Sequence, residues 1–419
     1  MVRRVKGTQD FIHLNAFNAT IEAIRTHLQR CHFQEIATPI IEYSELFNRS
    51  LGTETDIVNK EMFYIQNKTE ENEHQLCLRP EGTAPIMRAF LEHTITQHPW
   101  HVFSIGPMFR YERPQKGRYR QFHQVTIESI KALSHNHDSD LLVTLDRLFQ
   151  RVFHLDDYAL IINFLGCKKD RLSYKEHLVS FLDSIADQLC STCQMRRHTN
   201  TLRVLDCKKT SCITLYHNAP QITAFLCTSC AEEWEIIQKN LTILGVSFVI
   251  KSTLVRGLDY YTKTIFEFVS HHLGAQSAFC GGGRYDHLSQ ELGAAEAHPS
   301  IGAAIGIERL LMLLHSNGNF LEQNKPKPSL ITIIPFGETK EHTIALMLAD
   351  LLRSHHHTTT ILFDGKSLKS MMRQANKMEA THVLIIGSEE QEKQTVTIKY
   401  MLTGATETVP QYKILDYLT

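Results

Sequence analysis

The alternation of apolar and polar residues predicts secondary structure throughout the first part of the chain. Ile21, Ile24 and Leu28 recur at helical intervals, which predicts an amphipathic helix near the N-terminus. Residues 101–109 and 121–130 are apolar-rich and flank a polar, basic loop, a pattern typical of a long antiparallel hairpin. The sequence therefore predicts a sheet-forming region that follows an N-terminal helix.

The pattern changes again towards the C-terminus. Residues 166–248 are polar with helical spacing, which indicates an insertion, whereas residues 249–324 return to strands and glycine-rich turns. Two prolines and two lysines at 324–328 indicate a linker, because proline cannot continue a helix. Strands and helices then alternate, which predicts a small α/β domain with a largely parallel sheet. Its predicted strands are 330–336, 358–363, 382–388 and 395–401, and its predicted helices are 342–354 and 366–377.

Composition excludes several classes of protein. The 419 residues are 42% hydrophobic and 21% charged, a globular balance that excludes a disordered or fibrous protein. The net charge of −1 gives no sign of a nucleic-acid partner, so such a partner would require charge that is segregated along the chain. No apolar run approaches the roughly 18 residues of a membrane span, and no apolar segment follows the N-terminal cations. We expect a cytoplasmic protein with no membrane partner.

The loop of the predicted hairpin carries the densest charge. Five cations and one carboxylate fall within residues 109–122, where Pro114 and Gly117 favour a turn. Guanidinium groups bind phosphate oxygens through paired hydrogen bonds, and aromatic neighbours can stack on a base. The simpler interpretation is a solvated surface turn, which is the usual fate of a charge run.

Four further clusters combine glycines with polar or charged residues. Glu81 and Thr83 lie two residues apart at a turn and suit an ammonium group. The other three clusters are residues 254–261, 281–286 and 302–309. Each is weak alone, because Arg256 or Arg309 could simply pair with a carboxylate. The common phosphate-binding motifs, G-x-x-x-x-G-K-[ST] and G-x-G-x-x-G, are absent from the sequence.

Taken in order, these motifs resemble those of the histidyl-tRNA synthetases, which are class II aminoacyl-tRNA synthetases. Residues 38–62 look like motif 1, residues 109–122 with Glu128 like motif 2, and residues 306–309 like motif 3. Residues 254–261 and 281–286 are similar to two signatures of the histidine-specific members. The resemblance implies an α+β fold: an antiparallel-sheet catalytic domain at 1–325 that contains a helical insertion at 166–248, followed by an α/β anticodon-binding domain at 326–419.

The resemblance also implies an activity and roles for individual residues. The activity is ATP-dependent attachment of L-histidine to its cognate tRNA through a histidyl-adenylate, by a homodimer that uses magnesium with ATP and holds no catalytic metal of its own. Arg110 and Arg256 would be catalytic, and the ATP-binding residues would be Arg110, Glu112, Arg118, Phe122 and Arg309. The histidine-binding residues would be Glu81, Thr83, Gln124, Glu128, Tyr260, Tyr261 and Tyr285. Gln115 and Arg120 would contact the acceptor end of tRNA, whereas Thr126 and His287 stand where the family usually has glycine.

Six cysteines fall between positions 190 and 230. Cys190/Cys193 and Cys227/Cys230 form two C-x-x-C pairs, a spacing that suits tetrahedral zinc, and Cys207 and Cys212 lie between the pairs. A structural zinc ion on the two pairs competes with reduced thiols in a helical insertion, and the sequence does not decide between them.

Cations also follow one side of the predicted helix in the C-terminal domain. Lys366, Lys369, Arg373 and Lys377 fall on one stripe, opposite an apolar face expected to contain Met371, Ala375 and Met378. Such a stripe is most often solvated, but the resemblance favours contact with the phosphates of the anticodon stem.

Two rival functions remain. One is a non-catalytic synthetase-like regulatory subunit of ATP phosphoribosyltransferase, which would keep the fold and a histidine pocket. Such a protein would lose the ATP-handling arginines and the C-terminal domain, yet Arg110, Arg256, Arg309 and residues 326–419 are all present. The other rival, a generic α/β RNA-binding module, leaves the two histidine-specific signatures unexplained.

Overall fold

The structure is a computed structural model that describes residues 2–52, 55–66, 75–258, 260–317, 320–321, 329–365 and 367–418, with their side chains except at 275, 276 and 317. The chain divides into two compact units, Met1–Asn324 and Lys325–Thr419. Each unit has a sheet and a hydrophobic core of its own. The two units are therefore described separately.

An eight-stranded sheet forms the centre of the first unit. The strands of this unit are β1 (Gln34–Glu35), β2 (Ile41–Tyr43), β3 (Phe63–Ile65), β4 (Leu76–Leu78), β5 (Trp100–Phe109), β6 (Gln121–Ile130), β7 (Ala159–Phe164), β8 (Phe248–Ile250), β9 (Thr262–Val269), β10 (Ala278–Arg284) and β11 (Ile301–Gly306). The order in the large sheet is β1-β5-β6-β11-β10-β9-β7-β8, and β2, β4 and β3 form a small separate sheet. Only the outer pairs β1–β5 and β7–β8 are parallel among the described strands of the large sheet. The predicted antiparallel fold is confirmed.

The predicted hairpin is the longest ladder of this sheet. Strands β5 and β6 pair antiparallel over ten residues each, from Trp100 opposite Ile130 to Phe109 opposite Gln121. Residues 124–130 of β6 are all buried, and β11 covers the other edge of β6. The backbone of β6 therefore pairs with a neighbouring strand on each side, which fixes the direction of its side chains at the centre of the sheet.

Helices cover both faces of the large sheet. They are α1 (Asn15–Arg30), α2 (Ser44–Leu51), α3 (Thr83–Glu92), α4 (Asn136–Arg147), α5 (Lys168–Ser184), α6 (Ser191–Thr199), α7 (Thr210–Tyr216), α8 (Thr228–Ile243), α9 (Leu288–Glu291) and α10 (Ile307–Asn317). Short 3₁₀ turns lie at Ala186–Gln188, Thr201–Asp206, Ile222–Phe225 and His271–Gln276, and single π-helical turns lie at Ile57–Glu61 and Leu148–Val152. Helix α1 buries Ile21, Ile24 and Leu28, as their spacing predicts. Within the described residues, no helix combines the length and apolarity that crossing a bilayer requires.

A separate hydrophobic cluster lies on each face of this sheet. Helices α1, α4, α8 and α10 pack on one face, around edge-to-face rings such as Phe149 and Phe279, whose centroids lie 4.8 Å apart. The other face carries α2, α3 and α5, and this cluster includes Tyr260, Tyr261 and Tyr285. The predicted binding tyrosines are thus part of a packed core that fixes their positions.

The second unit is a smaller α/β structure. Its strands are β12 (Leu330–Pro335), β13 (Thr358–Ile361), β14 (His382–Ile386), β15 (Thr395–Tyr400) and β16 (Thr406–Pro410), in the order β13-β12-β14-β15-β16. Its helices are α11 (Thr339–Ser354), α12 (Leu368–Lys377), α13 (Ser388–Lys393) and a final 3₁₀ helix at Gln411–Tyr417. Strands β13, β12 and β14 are parallel, but β14–β15 and β15–β16 are antiparallel. The expected largely parallel sheet is wrong for these last two strands, because their connections are too short for a parallel crossover.

Candidate active site

An open cleft of about 740 Å³ lies beside strands β6, β10 and β11 of the first unit. Its lining includes both predicted catalytic residues, every predicted ATP-binding residue and one predicted histidine-binding residue. These are Arg110, Glu112, Arg118, Phe122, Gln124, Arg256 and Arg309. Segments that are far apart in sequence therefore meet here, as the motifs predict.

The loop between β5 and β6 brings two of these arginines into the cleft. Gln115 and Arg118 exchange two backbone hydrogen bonds of 3.1 and 2.9 Å, and Gly117 supplies the positive φ of 73° that the turn requires. Arg118 returns towards the sheet and forms an ion pair with Glu112. The guanidinium carbon of Arg110 lies 5.4 Å from the centroid of the Phe122 ring. The turn thus orders its cations instead of leaving them all in solvent.

Arg309 enters from the first turn of α10. Its Nε donates to the carbonyl oxygen of Gly117 at 2.9 Å, and its Nη1 donates to that of Ala278 at 2.6 Å. Burial, together with repulsion from three other arginines (Arg110, Arg118 and Arg256), lowers the pKa of Arg309 to about 10. A cluster of like charges that depresses the pKa of its own member favours an anionic ligand strongly.

Arg256 reaches the cleft across a glycine. A Cβ at Gly281 would lie 2.7 Å from Nη1 of Arg256, so this position in β10 must lack a side chain for the guanidinium to lie there. Arg256 forms an ion pair with Glu267 of β9. Burial lowers the pKa of Arg256, but Glu267 and two tyrosines outweigh burial and raise it overall. Sequence reasoning missed Glu267, although it is the one carboxylate in a strand rich in apolar residues.

Arg110 also lies near a second group of residues around Glu128, the tyrosine–glutamate pocket, whose side chains are buried. Its Nε donates to the carbonyl oxygen of Pro80 at 2.9 Å. Burial lowers the pKa of Arg110, while nearby carboxylates (Glu61 and Glu81) and Tyr260 oppose that shift. Arg110 therefore lies between the arginine cluster on one side and acidic and phenolic groups on the other.

The tyrosine–glutamate pocket is built around a carboxyl group with no solvent exposure. Glu128 accepts a hydrogen bond from Thr83 Oγ1 at 2.6 Å and another from the hydroxyl of Tyr285. A Cβ at Gly302 would lie 1.7 Å from Glu128 Oε2, so the neighbouring strand β11 must have glycine there. Burial raises the pKa of Glu128 to about 8, which outweighs the opposite effect of these hydrogen bonds.

The remaining predicted histidine-binding residues surround Glu128. Glu81 accepts hydrogen bonds of 2.8 Å from the backbone N–H groups of Thr83 and Ala84 at the start of α3, and burial raises its pKa. The ring centroid of Tyr260 lies 4.7 Å from that of Tyr261 and 5.6 Å from that of Tyr285. Gln124 lies nearer the cleft, and its Oε1 is buried without a hydrogen-bond partner among the described residues. The structure thus brings all seven predicted residues to adjoining positions.

The two departures from the family pattern differ in their consequences. Thr126 lies against Gly82, where an added Cβ would be 2.3 Å from Thr126 Oγ1, so the glycine in the preceding loop makes room for the threonine. His287 immediately precedes α9, and its Nδ1 lies 3.4 Å from Gln290 Oε1. Thr126 therefore affects the surroundings of Glu81 and Thr83 through Gly82, whereas His287 contacts its own helix.

Comparison with known proteins identifies the family. The tRNA synthetase class II core domain (G, H, P, S and T) matches residues 63–318, and an anticodon binding domain matches residues 331–419. Histidine–tRNA ligase from Halothermothrix orenii is 41% identical over 385 residues, which is 91% of this chain and 90% of the relative. The ligase from Aquifex aeolicus is 40% identical over 407 residues, 96% of this chain and 97% of the relative. The crystal structure of apo histidyl-tRNA synthetase from S. aureus has a TM-score of 0.81 at 30% identity, with complete coverage of both chains.

The chain belongs to the histidine–tRNA ligase family. Its relatives match almost end to end, so both units of the chain fall within the family's architecture. The arginine cleft and the tyrosine–glutamate pocket both lie within the residues matched by the class II core.

The residues of this chain that are predicted to bind tRNA lie in both units. Gln115 is exposed at the tip of the β5–β6 loop. Arg120 is partly buried, with its guanidinium carbon 3.9 Å from the centroid of the Tyr111 ring and its Nε donating to the carbonyl oxygen of Glu112 at 3.2 Å. Arg120 is therefore less available to RNA than Gln115.

Three of the four stripe cations in the second unit are described. Lys369, Arg373 and Lys377 are exposed on α12, while Lys366 lies outside the described residues. Met371 and Ala375 are buried on the opposite face, as predicted. The predicted burial of Met378 is wrong, because α12 ends at Lys377 and Met378 is 39% exposed.

The zinc site considered from sequence, on Cys190, Cys193, Cys227 and Cys230, is not formed. The two C-x-x-C pairs belong to different side-chain clusters. Cys190 and Cys193 lie with Cys207 and Cys212, whereas Cys227 and Cys230 lie with Cys167 and Asp170. Sequence spacing misassigned the pairs because each of them starts a separate helix, α6 or α8.

Proposed function

We propose that this protein activates L-histidine with ATP to form histidyl-adenylate and pyrophosphate, and then transfers the histidyl group to its cognate tRNA, tRNA(His). The observation that carries the proposal is the junction at Arg110. On one side of this residue lies a cluster of arginines suited to phosphates, and on the other lie buried carboxyl and phenol groups suited to a small polar ligand. A reaction between a carboxylate and a phosphate needs such a junction.

The tyrosine–glutamate pocket has the groups that would recognise histidine. Glu128 would accept an N–H of the imidazole, and Tyr261 would serve the second ring nitrogen. Tyr260 and Tyr285 would line the ring, and Glu81, Thr83 and Gln124 would hold the ammonium end. The unpaired, buried Oε1 of Gln124 supports this role, because a buried acceptor without a partner favours a ligand that donates to it. A site built for both ring nitrogens rejects isosteres that lack them.

The arginine cleft would bind ATP and stabilise the reaction. The α-carboxylate of histidine attacks the α-phosphorus, and negative charge develops on the oxygens of that phosphate as pyrophosphate leaves. Arg110 and Arg256 would contact the α-phosphate from opposite sides, because Arg110 comes from the β5–β6 loop and Arg256 lies over β10. Arg118, with its partner Glu112, and Arg309 would hold the other phosphates, and Phe122 would stack on adenine. Such fixed cations act mainly by positioning and electrostatic stabilisation.

The substrate ATP would enter as its magnesium complex, with the protein supplying the cations described above. Residues 1–325, including the helical segment 166–248, would form the catalytic domain, and residues 326–419 would bind the anticodon. The match of residues 331–419 to an anticodon binding domain supports the second assignment. Gln115 and Arg120 would contact the acceptor end of tRNA, and Lys366, Lys369, Arg373 and Lys377 would contact phosphates of the anticodon stem.

A homodimer is proposed from the small sheet of the first unit. Ile41 and Tyr43 of β2 and Tyr64 of β3 are each more than half exposed, whereas Glu42 between them is buried and paired with Arg88. A sheet that turns large apolar side chains outward indicates an interface with another chain. Ile41 and Tyr43 lie within the segment that resembles motif 1, and Tyr64 lies two residues after the end of that segment.

Histidine-dependent exchange of labelled pyrophosphate into ATP tests the first step, and charging of histidine tRNA tests the second. We expect exchange only when histidine is present, and charging only of the histidine tRNA. Folded protein that binds histidine but supports no exchange would instead be the regulatory subunit considered above. The simultaneous presence of Arg110, Arg256 and Arg309 in one cleft favours the ligase.

A further inference from the structure

Two clusters of metal-ligating side chains lie in the helical segment between β7 and β8, away from the arginine cleft. Cluster A contains Cys190, Cys193, Cys207 and Cys212, and cluster B contains Cys167, Asp170, Cys227 and Cys230. In each cluster the four ligand atoms all lie within 4.8 Å of one another. All of these cysteines are free thiols. Ordinary core cysteines have no reason to meet in groups of this size.

We propose that each cluster binds one zinc ion, so that the segment is a two-zinc module that fixes the shape of this part of the protein. A Zn–S bond of about 2.3 Å places the sulfurs of a tetrahedral site about 3.8 Å apart. Cys190 Sγ and Cys207 Sγ lie 3.9 Å apart, which matches this spacing, and the other sulfurs of cluster A lie within 4.8 Å of one another. Cys193 and Cys212 are fully buried, which leaves cluster A closed to an additional ligand, as in structural zinc sites.

Backbone N–H groups surround the sulfurs of cluster A. The N–H of Cys190 donates to Cys212 Sγ at 3.4 Å, and the N–H of Lys209 donates to Cys207 Sγ at 3.5 Å. Donors of this kind stabilise thiolate charge and orient the ligands around a metal. Cys190 immediately precedes α6, while Cys212 lies in α7, so one ion would hold two helices together.

Cluster B rests on different residues with a related arrangement. Cys167-x-x-Asp170 begins α5, and Cys227-x-x-Cys230 begins α8. Asp170 accepts hydrogen bonds from the backbone N–H groups of Cys167 at 3.1 Å and Cys227 at 3.0 Å, which aims its carboxylate at the junction of the two helices. Three thiolates and one carboxylate are a donor set that zinc accepts.

The position of cluster B indicates what its ion would do. Cys167 follows β7, where the chain leaves the large sheet, and α8 returns the chain to β8, which pairs with β7. One ion would therefore join the start of α5, next to the sheet, to the start of α8. A cross-link between these points closes a loop of about 60 residues and reduces the freedom of that loop to move against the sheet.

Cluster A lies next to a contact that reaches the active site. Its ligand Cys207 directly follows the 3₁₀ turn Thr201–Asp206, which carries Arg203. Nη2 of Arg203 lies 3.6 Å from Asp56 Oδ2 and 3.6 Å from the position of a Cβ at Gly257, the residue after Arg256. Zinc in cluster A would thus hold the turn that packs behind the Arg256 loop.

Metal analysis of the full-length protein, purified without chelator and passed through gel filtration in metal-free buffer to remove loosely bound ions, tests both sites. We expect two zinc ions per chain in the wild type, one in Cys212→Ser and one in Cys230→Ser. Cys31→Ser, which changes a half-buried thiol outside both clusters, should retain two. Iron in place of zinc, or no metal in protein whose cysteines are all reduced, would overturn the proposal. If the wild type held only one zinc ion, the cluster whose substitution left that ion in place would not be a zinc site.

A second measurement covers variants that fail to fold. Alkylation of the native wild-type protein, read by mass spectrometry of its peptides, should leave Cys190, Cys207, Cys167 and Cys227 protected until a strong chelator is added. Cys31 should react equally with and without the chelator. Alkylation of half-buried Cys190 and Cys207 at the rate of Cys31 without chelator would contradict the zinc assignment of cluster A. Neither measurement depends on catalysis, so the result stands whatever the exchange assay gives.

Discussion

The arginine cleft and the tyrosine–glutamate pocket adjoin the same sheet but treat charge in opposite ways. In the cleft, Arg309 lies among other arginines whose repulsion lowers its pKa. In the pocket, Glu128 is surrounded by hydroxyl donors and burial favours its neutral form, with a pKa raised to about 8. The cleft thus holds excess charge that a ligand must neutralise, whereas the pocket holds directional polar groups that a ligand must match.

This difference separates binding strength from selectivity. Four arginines in one cleft attract a polyphosphate, and their attraction increases when negative charge develops on it, so the cleft suits rate acceleration. The neutral pocket attracts little by charge, but it leaves buried polar groups unpaired when the wrong side chain enters. The following predictions test whether the two regions divide the work in this way.

The largest expected effect comes from the cleft. Arg256→Ala should lower the rate of histidine-dependent pyrophosphate exchange by roughly 10²–10³-fold, because a fixed donor to the developing phosphate charge is lost. The histidine Kd should change little, since Arg256 pairs with Glu267 and not with Glu128. Arg113→Ala, which removes an exposed cation from the same loop as Arg110, is the matched control and should stay within about twofold. Near-normal exchange in Arg256→Ala would assign the catalytic charge to another arginine.

A substitution in the tyrosine–glutamate pocket should change the KM for histidine and not the exchange rate at saturating histidine. Glu128→Gln keeps the shape and the neutral charge of the empty site, but it weakens the acceptor for the imidazole N–H. A charge-assisted hydrogen bond contributes about 1.5–3 kcal/mol, so the KM for histidine should rise by roughly tenfold to a hundredfold. The KM for ATP should stay within about twofold. Equal changes in both constants would show that the two regions are not independent.

Protonation of Glu128 offers a finer test of the same pocket. With its pKa raised to about 8, the carboxyl group of the empty site is protonated at neutral pH and must lose its proton to accept an imidazole N–H. Histidine affinity should therefore increase as pH rises from 7 towards 8 and level off above that, by up to about tenfold per pH unit. Calorimetric titration at several pH values measures this change. A flat profile in that range would mean that histidine instead binds as the imidazolium, taking the proton from Glu128.

The arginines of the cleft can be recognised in the sequence because each of them lies in a short motif that contains glycine or proline. Arg110, Arg256 and Arg309 were assigned together, although they come from three distant segments, and the cleft contains all three. The antiparallel hairpin was equally predictable, since both of its strands have long apolar runs. Patterns of this kind are predictive because each one depends on the residues of a single turn or strand.

Features that depend on pairing between distant segments were not predictable. Glu267 gained its role only when β9 came beside the Arg256 loop. The two C-x-x-C pairs are joined wrongly in the sequence analysis, because Cys207 and Cys212 are five residues apart and Asp170 is not a cysteine, so neither neighbouring pair matches the C-x-x-C pattern. Strand β16 escaped prediction because its five residues carry only one buried apolar side chain, Val409. Each of these features depends on a contact between two segments that are distant in the sequence, and neither segment alone reveals that contact.

The smallest effect is expected for substitution of the exposed cations of the second unit. Their tRNA binding can be compared with the ATP handling predicted for the buried arginines of the cleft. Lys369 and Arg373 on α12 are exposed, so bound salt ions screen them, unlike the buried arginines of the cleft. Replacing either with alanine should weaken tRNA binding only a few-fold and reduce the slope of log K against log salt by about 1, as expected for one lost phosphate contact. Pyrophosphate exchange, which needs no tRNA, should be unchanged. Glu389→Ala, on the exposed helix α13, should leave that slope as it is. An unaltered slope in both cation variants would assign the stripe to solvent, and the tRNA contacts of this unit would lie elsewhere.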